Sequence, residues 1–103
     1  MISAEFYETK GKLTGFRLSG HAGFALNGRD VVCAAVSSAV QLTVNLLDDF
    51  GCSPDVKVGD NVIRCAVGNC AAESSKILKE LKRHIEAILE EFPKTIKITI
   101  SEV

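Results

Sequence analysis

A chain of 103 residues with 47% hydrophobic side chains has apolar material for one core, so a single domain spanning 1–103 is expected, with no room for a second. Lys plus Arg (12) nearly balances Asp plus Glu (13), and the charges are scattered without a basic run. Direct nucleic-acid binding by phosphate neutralisation is therefore disfavoured, because that mode needs clustered cations.

Met1-Ile2-Ser3-Ala4-Glu5-Phe6 has no basic segment followed by an apolar run, so no secretory signal is expected. Residues 31–47 carry no charge, but Ser37, Ser38, Gln41, Thr43 and Asn45 argue against a membrane span. The expectation is a soluble, cytoplasmic protein with no membrane partner. The cysteines fall at 33, 52, 65 and 70. A disulfide framework belongs to secreted chains with poor cores, and a zinc site lacks its C-x-x-C pair, so neither a metal nor another cofactor is expected. Cys52 and Cys65 read as packing residues.

In chain order, residues 2–8 alternate as a half-buried strand with Ile2, Ala4 and Phe6 on one face. Lys10-Gly11-Lys12 supplies a turn. A second strand, 13–20, puts Phe16 and Leu18 on one face and Arg17 and Ser19 on the other, with Gly15 as a candidate bulge. His21 follows at its tip.

The segment 22–29 holds Gly23, Phe24, Leu26 and Gly28. Phe24 and Leu26 either tuck beneath the loop as a satellite of the core or line a groove or lid. A long helix is predicted from Asp30 to Phe50, stopped by Gly51. Apolar residues occupy so much of its circumference that it needs cover on more than one side. Either the second helix and the sheet suffice, or a partner subunit completes the cover. A homodimer is the expected assembly. Asp48 and Asp49 sit against its dipole without an evident reason.

Strands at 54–58 and 62–67 form a hairpin through Gly59-Asp60-Asn61. The second helix starts near Asn69 and ends before Pro93, burying Ile77, Leu78, Leu81, Ile85, Ile88, Leu89 and Phe92. His84 lies at the edge of that stripe and reads as a structural histidine, while Lys76, Lys79, Lys82 and Arg83 read as a solvated face. Ile96, Ile98 and Ile100 alternate in a closing strand. The class is α+β, in the order β-β-α-β-β-α-β, with a largely antiparallel sheet and two long helices.

Two reactive side chains bracket the glycine-containing segment. With Asp30 as N-cap, Cys33 is the third residue of the first turn, where unpaired N–H groups and the positive end of the helix dipole converge. That environment turns a cysteine into a nucleophile near neutral pH. His21 precedes it by twelve residues, and glycines at 23 and 28 let the segment fold back to bring imidazole to sulfur. The alternative is a small buried cysteine beside an ordinary strand-end histidine. Cys70, also at a helix start, is the internal rival, but it has no histidine near it in sequence.

Gly20-His21-Ala22, then Gly28, Asp30, Val31, Val32, Cys33, Ala34 and Ser37, resembles the signature of the ribosomal-processing cysteine proteases called Prp. Length and element order resemble that family over the whole chain. The resemblance implies an endopeptidase that removes a short N-terminal extension from a large-subunit ribosomal protein. Cys33 would be the nucleophile and His21 the general base. Gly20, Asp30 and Ser37 would support them, Asp30 by capping the helix or by orienting His21. Gly23, Phe24, Leu26 and Gly28 would form the substrate loop, and the substrate would be a short extended peptide with apolar or aromatic residues before the cut. Two other classes compete: a thiol redox protein, which needs a resolving cysteine near Cys33, and a non-enzymatic ribosome-assembly or interaction module that works through the apolar helix.

Overall fold

The computed structural model describes residues 1–20, 29–68 and 71–103. Strands β1 (Ile2–Thr9) and β2 (Lys12–Ser19) are followed by α1 (Arg29–Asp49), β3 (Pro54–Gly59), β4 (Val62–Val67), α2 (Ala71–Glu91) and β5 (Ile96–Glu102). This is the expected α+β order, with each boundary within about two residues of the sequence reading. The strands form one sheet in the order β3-β4-β2-β1-β5, in which only the β1–β5 pairing is parallel.

Strand alternation decides which face meets the helices. Ile2, Ala4 and Phe6 of β1, Phe16 and Leu18 of β2, Cys65 of β4 and Ile96 of β5 join the buried faces of both helices in one cluster. Both helices therefore cover the same side of the sheet. Leu13 is buried with Phe16 and Leu18 although its parity is wrong for a regular strand. The register explains this: Tyr7 faces Gly15 while Glu8 faces Leu13, so Thr14 is an extra residue and the strand changes phase beside Gly15. The bulge anticipated at Gly15 is thus present. The Leu13 N–H leaves the sheet to donate to Ser75 Oγ of α2 at 3.0 Å. A Cβ on residue 15 would lie 2.5 Å from the Cys65 carbonyl oxygen, so β2 and β4 approach this closely only through glycine.

The β1–β2 turn uses Lys10 (φ 52°) and Gly11 (φ 80°), two left-handed residues in a two-residue loop, the geometry that matches strand twist. Phe6 and Phe16 face each other across the two strands, with ring centroids 6.3 Å apart and neither ring exposed. Such pairs add about 0.5–1.5 kcal/mol to simple burial.

On α1, Val32, Val36, Val40, Thr43 and Leu47 form the buried stripe. Thr43 satisfies its hydroxyl by donating to the Ala39 carbonyl at 2.7 Å. Gly51 (φ 73°) ends the helix as expected. Its N–H donates to the Asp48 carbonyl at 3.0 Å and that of Cys52 to the Leu47 carbonyl at 2.9 Å, a Schellman closure with Leu47 and Cys52 both buried beneath it. The backbone of Asp48 thus has a role in the helix stop, although its charge still opposes the dipole.

The sheet and α2 cover only part of α1: Val31 and Leu42, and Phe50 just past its end, remain more than half exposed. By length and composition Val31–Asp49 is apolar enough to cross a membrane, which corrects the expectation that its polar residues exclude that. Its inner stripe is nevertheless packed into the core, as in the core helix of a globular domain.

Candidate active site

The register gathers the end of β2, the start of β1, the end of β3 and the start of β4 at one end of the sheet. Gly20, the last described residue before His21, is fixed there. It takes φ 85°, a Cβ on it would lie 2.6 Å from the Met1 carbonyl oxygen, and its N–H donates to the Asn61 carbonyl at 2.9 Å. Asn61 turns the β3–β4 hairpin at φ 56°, a conformation asparagine tolerates better than most residues.

A cavity of about 490 Å³ lies between this part of the sheet and α1. Its helix wall follows two rows at i+4 spacing: Cys33, Ser37 and Gln41, and Val36, Val40 and Val44. The sheet contributes Leu18, Val56, Val58 and Ile63, and the strand ends contribute Ile2, Ser19, Gly20, Gly59, Asn61 and Val62. None of these residues is charged. Along α1, Cys33 and Val44 are eleven residues apart, about 16 Å at the helical rise, which matches roughly five residues of extended chain. The volume falls in the usual range of ligand clefts, about 300–1,000 Å³.

Cys33 is half-buried and lines this cleft, with Ser37 exposed one turn on and Gly20 in the same lining. Three of the residues singled out from sequence are thereby brought together. His21, Gly23, Phe24, Leu26, Gly28 and Cys70 lie outside the described residues, as does the side chain of Asp30.

One expectation requires correction. The helix begins at Arg29, so Asp30 lies inside the first turn and Cys33 is the fifth helical residue. Regular i→i−4 pairing then directs the Cys33 N–H to the Arg29 carbonyl. The unpaired donors of the helix start precede Cys33 and do not include its own amide.

Cys52 and Cys65 behave as packing groups. Both are buried, and desolvation, with the nearby Asp55 charge, pushes the Cys65 thiol up to about 11. His84 is exposed and lines a separate groove of about 500 Å³ between the helices, with Leu42, Leu46 and Ile77, away from Cys33. On the basic face of α2, Lys82 pairs with Glu86 at 2.9 Å and Arg83 with Glu80 at 3.5 Å, as a solvated face should. Sequence reading missed the sheet side of the cleft. Its one available signal was valine on an edge strand: Val58 is 76% exposed yet lines the cavity.

A cysteine near the start of a half-covered helix, set in a cleft whose described lining is uncharged and long enough for an extended peptide, defines a candidate thiol peptidase of α+β architecture. The family model for the cysteine protease Prp matches residues 1–97, and the chain belongs to that family; it is a cysteine protease. No curated protein matches the sequence. Among solved structures, an essential ribosomal processing protease Prp from S. aureus in complex with a substrate peptide is 24% identical, with a TM-score of 0.87 over 98% of this chain and 100% of that one. The S. aureus Prp with a covalently linked product peptide is 25% identical, at 0.84 over 98% and 100%. SMU.848 from Streptococcus mutans is 26% identical, at 0.87 over 100% and 96%.

Proposed function

We propose that the protein is a cytoplasmic endopeptidase that removes a short N-terminal extension from a large-subunit ribosomal protein, with Cys33 as nucleophile and His21 as general base. The observation that carries this reading is that Cys33 and Gly20, the residue before His21, line one apolar cleft. The S. aureus Prp, a ribosomal processing protease described with a substrate peptide, supports the substrate class.

In this reaction the extended tail enters the cleft with its apolar side chains against the valines of α1 and β3. His21 takes the Cys33 thiol proton, and the sulfur attacks the scissile carbonyl carbon to give a tetrahedral oxyanion. Unpaired N–H groups of the α1 start, ahead of Cys33, stabilise that oxyanion, each such donor being worth about 3–4 kcal/mol. As the carbon–nitrogen bond breaks, the imidazolium protonates the leaving amine and a thioester remains. Water, deprotonated by His21, hydrolyses the thioester and restores the thiol. Asp30 orients His21 or stabilises the helix start, Ser37 supports the sulfur, and Gly23, Phe24, Leu26 and Gly28 form the substrate loop. No cofactor enters the reaction.

A second copy of the chain covers the exposed apolar part of α1, seated on the groove lined by Leu42, Leu46 and Ile77. The enzyme then works as a homodimer with its clefts on the opposite flank of α1.

The test is mass spectrometry of a synthetic peptide matching the extension, incubated with the wild type and with Cys33→Ala. Trimming by the wild type alone is expected. Intact peptide with both proteins overturns the proposal.

A further inference from the structure

We infer that the open face of the sheet, opposite the helices, binds the phosphodiester backbone of single-stranded RNA through Arg17 and Arg64, with Lys57 beside them. The register sets Lys57 opposite Arg64, Arg64 opposite Arg17, and Arg17 opposite Glu5, a row across four adjacent strands. Like charges directly opposite one another destabilise a sheet, and this row contains two such juxtapositions.

They are offset in part by the Coulombic attraction of the Glu5 carboxylate for Arg17 and Arg64. Among the described residues the ion pairs lie within α2, and neither arginine joins one. Glu5 faces Arg17 but accepts hydrogen bonds from Tyr7 Oη at 3.0 Å and Ser101 Oγ at 2.5 Å. Arg17 Nε is buried without a hydrogen-bond partner, which native structures rarely leave unexplained. Asp55 shares this face at the edge strand, opposite Ala66 and two residues from Lys57. An anion laid along the row draws the Arg17 guanidinium outward, pairs its Nε, and relieves the repulsion between the two arginines.

The neighbouring row favours RNA over an acidic peptide. Tyr7 stands opposite Gly15, and Gly15 opposite Ala66. An aromatic ring thus borders a flat floor of two small residues, next to the cations. Sheet faces that bind single strands combine these parts, with aromatic side chains stacking bases and basic groups following the backbone. A polyglutamate chain has no use for the ring. Arg17 is far in sequence from Lys57 and Arg64, which themselves face each other across the β3–β4 hairpin, so an expectation based on the absence of a basic run did not register the row.

Fluorescence anisotropy with a short labelled oligouridylate at about 50 mM salt tests this. Saturable binding is expected, with a log–log salt slope of about −2 for three phosphate contacts. The Arg17→Gln/Arg64→Gln variant should bind at least about tenfold more weakly while still cleaving peptide, which certifies its fold. Should the double variant fail to fold, Arg64→Gln and Lys57→Gln, both at exposed positions, should each weaken binding and flatten the slope. Absence of binding by the wild type, affinity unchanged in folded variants, or equal and equally arginine-dependent binding of polyglutamate overturns the inference.

Discussion

The amide of Gly20 donates to the carbonyl of Asn61 at 2.9 Å, tying the end of β2 to the turn of the β3–β4 hairpin. The strand that leads to His21 is thereby held against the sheet part of the cleft that Cys33 lines from the helix side. A positive φ and a close approach to the Met1 carbonyl both demand glycine at this position. Gly20→Ala should cost about 1–3 kcal/mol of stability, read by denaturant unfolding, and should lower kcat/KM as well. Unaltered stability and activity would show that the strand tip is not fixed in this way.

Thiol reactivity should separate the cysteines. Iodoacetamide at pH 7 should modify Cys33 first, and should leave Cys52 and Cys65 untouched in the native protein. Both are buried, and the Cys65 thiol, pushed up to about 11, stays protonated. Denaturation should expose all of them to the reagent. Peptide mapping that finds Cys70 modified ahead of Cys33 would reverse the assignment of the nucleophile.

The cleft predicts a split in kinetic constants. Val58 is largely exposed, so Val58→Asp should fold normally, yet it places a carboxylate in an uncharged lining. Loss of an apolar fit costs ~1–3 kcal/mol, so KM for an apolar extension peptide should rise by about tenfold or more while kcat changes little. A change confined to kcat would place the peptide elsewhere.

Glu5 makes an acid-dependent contribution to stability. Hydrogen bonds from Ser101 and then Tyr7 hold its carboxyl below the ordinary carboxylate range. A depressed folded-state value stabilises the protein above the unfolded value, and that contribution is lost as pH falls through the folded one. The stability difference between wild type and Ser101→Ala should therefore shrink as pH drops below about 4. A difference that stays constant down to the acid limit would rule out the linkage.

Much of this was legible in the sequence because its cues are local. Alternation in Ile2–Ala4–Phe6, the apolar stripe of α2 through Leu78, Leu81, Ile85 and Ile88, and the glycine stop at 51 each depend on neighbouring residues, and each element formed where expected. The Cys33–Ser37 pair was equally readable, being one helical turn. What escaped depends on register between distant strands. Val56 and Val58 enter the cleft, and Arg64 meets Arg17, only through pairings across β4 and β2. The helix starts at Arg29, two residues before the Val31 that an Asp30 cap implies, and that shift removes the Cys33 N–H from the donors open to an oxyanion. Capping preference alone could not decide it, because a carboxylate suits the N-cap and the first turn alike.

The most direct test uses wild type, Cys33→Ala and His21→Ala on the extension peptide, with rapid acid quench and intact-mass analysis. Wild type should release the trimmed product and pass through a thioester adduct at Cys33. Cys33→Ala should give neither product nor adduct, and His21→Ala should be slowed by about 10²-fold or more. Cleavage by Cys33→Ala at the wild-type rate, or an adduct on another cysteine, would contradict the assignment of Cys33 as the nucleophile.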